Sequence, residues 1–379
     1  MKILMTCDAV GGVWQYAHDL SAALGDSGVE VVLAVLGPSS RSGPAVAPAK
    51  EGKSARVAPM VARPADRHGC VRTIPTNLPL DWLAPDTEAV RQAGRAIAGL
   101  AAAHDVDLIH LNSPALATAG DFPVPVVAVT HGCIGTWFAA ADHSAPSSEY
   151  AWHGEAMRAG LLAADVVVAP SASYAAEVQR HYALPFTPLV VHNGRAPAEA
   201  RRAESADYVL TAGRLWDRAK NVALLDAVAA RLSVPFRAAG PVVGPHGETV
   251  APAHLHLLGT LGEEALAAQY VRTPIFVSAT RFEPFGLAVL EAAQAGCPLV
   301  LSSIDTFREL WAGAALLVPD EEPAAYVAAI ARIRSEPGLR AHLSQAARAR
   351  AARYTPAAMA AGMLAIYRGL VSAPERVAA

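Results

Sequence analysis

Residues Arg281 to Pro298 read RFEPFGLAVLEAAQAGCP, and the class of fold follows from this stretch. The apolar run before it, Thr273-Pro-Ile-Phe-Val-Ser278, predicts a short buried strand, and Leu287 to Ala295 predicts a helix. A strand, a glycine turn and a helix leave free backbone N–H groups at the helix N-terminus, a ready anion site. Gly286 carries no side chain to hold a ligand away from those amides. Glu283 lies on the turn and Glu291 one helical turn beyond Leu287, so two hydroxyl-seeking carboxylates flank the cradle. That combination suits a sugar nucleotide. Ordinary helix-end chemistry, with Glu283 near the positive dipole end and Glu291 facing solvent, is the plainer reading.

Working outward, strands and helices alternate along the rest of the chain. Lys2–Cys7 and Val29–Leu36 predict strands around a helix near Val13–Leu24, followed by short runs at Val106–Leu111, Val124–Thr130, Val166–Ala169 and Leu189–His192. A second series begins with strand Tyr208–Ala212, helix Val222–Leu232 and strand Phe236–Ala239. Strands Ile275–Ser278, Leu299–Ser302 and Ala314–Val318 complete it. Helices Pro323–Arg334, Leu339–Arg353 and Thr355–Leu370 close the chain, the last with proline in its first turn. Short Val/Leu/Ile-rich strands with helical spacers predict parallel sheets covered on both faces. Between Gly37 and Pro79 the chain turns Pro-, Ala-, Ser- and Arg-rich, which predicts a long excursion, and the polar stretch from Arg195 to Ala206 predicts an interdomain linker.

The 379 residues exceed what one core usually supports, which predicts two domains. Hydrophobic residues make up 53% and charged ones 17%, a globular composition rather than a disordered one. A net charge of −3 gives no electrostatic basis for nucleic-acid binding. Cys7, Cys70, Cys133 and Cys297 are scattered without pair or metal spacing, as in reduced cysteines of a cytoplasmic protein. No signal-peptide stretch or membrane-length run is present, and peripheral contact with the inner membrane face stays open. Of the 31 basic residues only four are lysines, so Lys220, the last of them, marks a place where a compact ammonium is wanted.

Three further clusters fall at predicted strand ends. Asp8-Ala-Val-Gly11-Gly12-Val-Trp14 is either a phosphate or sugar loop or only a tight strand–helix turn. His131, in Thr130-His131-Gly132, either bonds a sugar hydroxyl or assists proton movement, or else serves as a structural histidine. Arg214 and Lys220, in Gly-Arg-Leu-Trp-Asp-Arg-Ala-Lys, would neutralise a diphosphate, unless they are solvated surface charges. His254-Leu-His256 lacks partners for a metal site, and no metal is expected. Arg340, Arg348, Arg350 and Arg353 suggest a solvated helix face, with an interface for anionic lipid as the alternative.

With these clusters in order, the chain resembles the retaining GT-B glycosyltransferases of family 4. Glu283 and Glu291 match that family's E-x7-E signature, Gly213-Arg214-Leu with Lys220 its G-R-L…K motif, and Asn193-Gly194 its interdomain N-G. Ala164-Asp165 to Ser171 is similar to its A-D-x-[VI]-x-x-x-S segment, and Ser302 to Leu310 looks like its loop before the last strand. The first loop departs from the pattern with Gly-Gly-Val-Trp, as does His192 where many members have proline.

The resemblance implies an α/β GT-B architecture of two doubly wound, Rossmann-like domains facing a cleft. Residues 1–195 would form the acceptor side and 196–354 the nucleotide-sugar side, with a terminal helix in 355–379 packing back on the first domain. Catalytic roles would fall to Arg214, Lys220, Glu283 and His131, with Gly12, Gly286, Leu287, Ala288 and Glu291 binding the donor. Glu291 would hold the ribose, Glu283 the sugar, and Arg214 and Lys220 the diphosphate, whose leaving phosphate deprotonates the acceptor. The implied activity is metal-independent, retaining hexosyl transfer from a nucleoside-diphosphate sugar to a hydroxyl acceptor, in bacterial glycan or glycoconjugate synthesis. No cofactor is implied; the donor is a substrate, with UDP- or GDP-sugars expected first and ADP- and dTDP-sugars open. The acceptor would be a glycan, a lipid-linked molecule or a small metabolite. A non-catalytic sugar-nucleotide-binding protein is the alternative, followed by a GT-B isomerase.

Overall fold

The computed structural model describes residues 1–9, 11–37, 69–142, 144, 150–198, 204, 206–245, 247–319 and 321–372. Seven parallel strands form the first sheet: β1 (Lys2–Asp8), β2 (Glu30–Leu36), β3 (Val71–Pro75), β4 (Leu108–Leu111), β5 (Val126–Val129), β6 (Val166–Ala169) and β7 (Leu189–Val190). Their order is β3-β2-β1-β4-β5-β6-β7. Central strands such as β4 and β5 are buried along their whole length, because helices cover both faces of the sheet. One face packs on α2 (Thr87–Ala103), α4 (Ala151–Ala163) and α5 (Ala172–Tyr182). The other face packs on α1 (Gly12–Gly25) and on α12 (Pro356–Val371), which returns from the chain's far end with Met359, Met363 and Tyr367.

The second sheet has the order β10-β9-β8-β11-β12-β13, again parallel. Its strands are β8 (Val209–Ala212), β9 (Phe236–Ala239), β10 (His256–Gly259), β11 (Ile275–Ser278), β12 (Leu299–Ser302) and β13 (Ala315–Val318). α8 (Leu287–Ala295), α9 (Asp305–Trp311) and α11 (Pro337–Ala351) cover one face, while α6 (Val222–Ala229) and α10 (Pro323–Ser335) cover the other. α7 (Glu263–Tyr270) lies beside α8. Two parallel-sheet Rossmann-like units of this kind put the carboxyl ends of β1, β5, β8 and β11 beside one another, which is where such folds take ligands.

Several expectations need correction. Val71–Pro75 lies inside the stretch read as an excursion, yet pairs with β2 from Val31–Val71 to Val35–Pro75. It is a short edge strand ending on proline, the one place a sheet admits that residue, so its pattern is weak in sequence. Residues 38–68 of that excursion lie outside the described residues, as do 199–203 and 205 of the supposed linker and 373–379 after the last helix. The arginines of α11, partly or fully exposed, also bond carbonyls of neighbouring elements. Arg348 Nη2 donates to the Ala295 carbonyl at 2.8 Å, and Arg350 donates to those of Leu310 at 2.6 Å and Ala312 at 3.0 Å. These carbonyls end α8 and α9, where helices leave acceptors unpaired. Arg340 likewise reaches the Thr273 carbonyl at 2.8 Å. His256 begins β10 while His254 precedes it, and among the described residues no group of His, Cys, Asp or Glu is placed to hold a metal. No described helix is long and apolar enough to cross a membrane.

Candidate functional site

Gly286 has φ 96°, a left-handed conformation that an L side chain adopts only at a cost, and this turn starts α8. A Cβ here would also press on Phe307 at 3.2 Å and on Glu283 at 3.3 Å. The first amides of α8, at Leu287 and Ala288, therefore open towards the cleft without an obstructing side chain. The facing wall is close: a Cβ on Gly12 would lie 3.8 Å from Leu287 Cδ1. The glycine loop after β1 and the glycine turn before α8 thus meet across the two units.

Lys220 and Glu283 come together at 2.6 Å, each side chain about a fifth exposed. Two bonds bring their loops side by side: the Ala219 carbonyl accepts from Thr280 Oγ1 at 2.9 Å and from the Arg281 N–H at 2.8 Å. The lysine stem runs over Gly213, where its Cε would sit 3.7 Å from an added Cβ. Arg214 keeps its head half exposed and donates to Asp217 Oδ2 at 2.8 Å. Asp217 is a residue the sequence reading passed over. It is buried, caps the turn before Lys220 through the Ala219 N–H, and accepts the Trp137 indole N–H from α3 (Ile134–Ala141) at 2.9 Å. One carboxylate therefore orients Arg214 and ties it to the opposite unit.

Asp8, at the end of β1, faces this cation. Burial and the neighbouring Asp81 carboxylate raise its pKa to about 7, partly offset by the Trp82 hydrogen bond and by Arg214.

His131 sits in a different electrostatic setting. Asn112 is oriented by its Nδ2, which donates to the Thr6 carbonyl at 2.6 Å. Its Oδ1 therefore faces two imidazoles, His131 Nε2 at 2.7 Å and His110 Nε2 at 3.0 Å. An acceptor between two ring nitrogens puts the proton on Nε2 of both rings. His110 Nδ1 then accepts from the Tyr367 hydroxyl of α12 at 2.5 Å, and His131 Nδ1 is left as an acceptor. Burial lowers the pKa of His131 to about 3 and that of His110 to about 4. A ring neutral throughout the physiological range is not a general acid, and its Nδ1 can accept a hydrogen bond from a hydroxyl.

Glu291, about a fifth exposed, is engaged by an arginine rather than left to solvent alone. Burial raises its pKa, opposed by Arg195, whose Nε lies 2.6 Å from Oε1. Arg195 belongs to the stretch read as a polar linker, yet it is 6% exposed. Further contacts join the units. Ser171 Oγ donates to the Pro284 carbonyl at 2.8 Å, and Tyr174 meets Phe282 edge-on. Glu309 accepts the N–H groups of Ala172 and Ser173 at 2.9 and 2.6 Å, capping α5 from the other unit. Against burial, the His192 imidazole at 3.5 Å, then the Ser173 hydroxyl and these N–H groups, hold its pKa down to about 2.

The structure therefore gathers Gly12, Gly286, Leu287, Ala288, Lys220, Glu283 and Arg214 around one cleft. Glu291 lies on the same helix and His131 on the first unit's wall. The residues missed in sequence, Asp217, Asn112 and Arg195, each have at least one partner far away along the chain. Only Asp217, inside the Arg214–Lys220 segment, stood where a local reading could have found it.

The sequence pattern of "Glycosyltransferase Family 4" matches residues 10–198, and that of "Glycosyl transferases group 1" matches residues 206–336. The chain is similar to D-inositol 3-phosphate glycosyltransferase of Streptomyces scabiei, 31% identical over 244 residues, 55% of this chain and 54% of that protein. It thus spans about half the length of these curated relatives. Glycogen synthase of Mycobacterium tuberculosis is 27% identical over 344 residues, 82% of this chain and 80% of that one. Among solved structures, sucrose-phosphate synthase of Thermosynechococcus elongatus superposes with a TM-score of 0.77 at 20% identity, covering 99% of this chain and 100% of that one. HepE of Anabaena, solved with UDP and glucose, gives 0.67 at 16% identity, covering 98% and 100%. At such identities the superpositions speak for the fold.

Proposed function

The chain belongs to the GT-B glycosyltransferases of the family 4 type, and on that premise we propose that it transfers a hexosyl group from a nucleoside-diphosphate sugar to a hydroxyl acceptor with retention of anomeric configuration. The observation that carries this reading is the meeting of Lys220 and Glu283 at 2.6 Å beside the α8 amides, with Arg214 on the same wall and Gly12 across from it.

In this reading the Leu287 and Ala288 amides, Arg214 and Lys220 take the diphosphate charge. Charge that grows on the leaving phosphate is met by donors already in place, so no metal is needed for it. Glu283 gives up part of its bond to Lys220 and accepts from the donor sugar's hydroxyls. His131 presents a neutral Nδ1 acceptor to the sugar. Glu291 accepts from the ribose. The departing phosphate oxygen takes the acceptor hydroxyl's proton on the same face, which retains configuration without a protein nucleophile. UDP- and GDP-sugars are the first donors to try, and the role is bacterial glycan or glycoconjugate synthesis.

Incubation with UDP-, GDP-, ADP- and dTDP-sugars should release the nucleoside diphosphate slowly even without acceptor. If no donor is hydrolysed and none raises the melting temperature, the reading fails. Binding with no turnover in the presence of cell extract would instead favour a non-catalytic sugar-nucleotide-binding protein.

A further inference from the structure

Arg195 stands where both connections between the two sheets cross. Asn193-Gly194-Arg195 leaves the first unit directly against Tyr354-Thr355-Pro356, which leads into α12. A Cβ on Gly194 would lie 2.0 Å from the Thr355 carbonyl oxygen, so the two chain segments touch. The Arg195 N–H donates to the Tyr354 carbonyl at 3.1 Å, and the Arg195 carbonyl accepts from Gln294 Nε2 of α8 at 2.7 Å. Its backbone is therefore pinned on both sides.

From that fixed point the guanidinium reaches three carboxylates on three helices. Nη1 meets Asp19 Oδ2 of α1 at 3.0 Å, Nη2 meets Glu263 Oε1 of α7 at 2.9 Å, and Nε meets Glu291 Oε1 at 2.6 Å. Asp19 belongs to the first unit, Glu263 and Glu291 to the second. A lone exposed pair would contribute little, but this fork is desolvated, its side chain only 7% exposed. Glu291 Oε2 has no hydrogen-bond partner among the described residues. A free glutamate would lose rotamer entropy on binding a ligand. Glu291 has lost that freedom beforehand, which is preorganisation.

We propose that Arg195 is a positioning residue of the donor site: it aims Glu291 at the ribose hydroxyls and, through Asp19, makes that aim depend on the two units being closed. This rests on the donor reading above. It differs from a plain structural tie, because a tie would weaken every nucleotide alike, whereas a lost aim would erase the preference for ribose over deoxyribose.

The test compares wild type with Arg195→Gln, Arg195→Lys and Asp19→Asn. Calorimetry measures Kd for UDP, GDP and ADP and for their 2′-deoxy and 3′-deoxy counterparts. Wild type should prefer the ribose form of its nucleotide by at least about tenfold, and Arg195→Gln should reduce that preference below about threefold. Arg195→Lys should keep part of it, since an ammonium still pairs with Glu291, and Asp19→Asn should keep more. Arg195→Gln binding both forms more weakly by one common factor overturns the proposal and leaves a structural tie. Should Arg195→Gln not fold, an unchanged preference in Arg195→Lys together with Asp19→Asn does the same. Wild type that binds a nucleotide without ribose preference also overturns it. Wild type that binds none of the nucleotides overturns the donor reading itself, and the proposal with it.

Discussion

Asp8→Asn should make the protein more stable at pH 8, although it removes a charged group beside a cation. The Asp8 carboxyl has a native pKa of about 7 against an ordinary 3.8, mainly from burial and secondarily from Asp81. An acid whose native pKa is raised binds its proton more tightly folded than unfolded. Its stabilising contribution is complete below the unfolded value and disappears as pH rises through about 7. A gap of this size corresponds to about 4 kcal/mol at 1.36 kcal/mol per pH unit. The side chain is only partly shielded, which trims the figure to about 2–3 kcal/mol. Asparagine keeps the shape and can still accept the Trp82 hydrogen bond, so the substitution isolates the charge. Urea denaturation of both proteins at pH 8, 5 and 4 should show the variant ahead by about 2–3 kcal/mol, then about 1, then near zero. His110 and His131 carry the opposite sign. Their native pKa values lie below the ordinary 6.5, so their contribution is present above that value and lost as pH falls towards 4. Comparing variant with wild type at each pH cancels them. A variant less stable than wild type at pH 8, or a difference that ignores pH, would refute the reasoning.

Lys220→Ala should slow nucleoside-diphosphate release by ~2–4 kcal/mol in the transition state, some 30- to 1000-fold, as initial rates with saturating donor would show; wild-type turnover would make the lysine a surface charge. Glu309→Gln should lower stability by about 1–2 kcal/mol at pH 7, because α5 loses its charged cap from the other unit. Its native pKa of about 2 places that benefit above pH 4.5 and removes it as pH falls, so melting curves of the variant and wild type should converge in acid. Gly194→Ala should destabilise by roughly 3 kcal/mol, since the new methyl meets backbone oxygen 2.0 Å away rather than a side chain that can swing aside. A melting temperature within a degree of wild type would show that the crossing can open.

Local pattern along the chain specifies the two-sheet architecture and marks the glycine turn of the candidate site. Period and composition placed most strands of both parallel sheets, and Arg281–Pro298 announced a glycine turn at a helix N-terminus. These features are local: a buried parallel strand needs only a short apolar run, and a left-handed turn needs its glycine within the turn itself. Lys220 and Glu283 were legible as separate candidates, but that they meet at 2.6 Å depends on two loops set side by side by the order β8-β11.

How each charged group behaves depends on the folded arrangement. Arg195 and Glu291 are 96 residues apart, and Asn112 holds His131 while α12 supplies Tyr367 to the partner histidine from 257 positions away. A carboxylate's ionisation and an imidazole's tautomer depend on burial and on which donor or acceptor lies within 3 Å, and chain folding sets that distance. The stretch after Asn193-Gly194 therefore looks like a solvated linker on paper. In the folded protein its first residue, Arg195, is buried, and three carboxylates converge on that side chain.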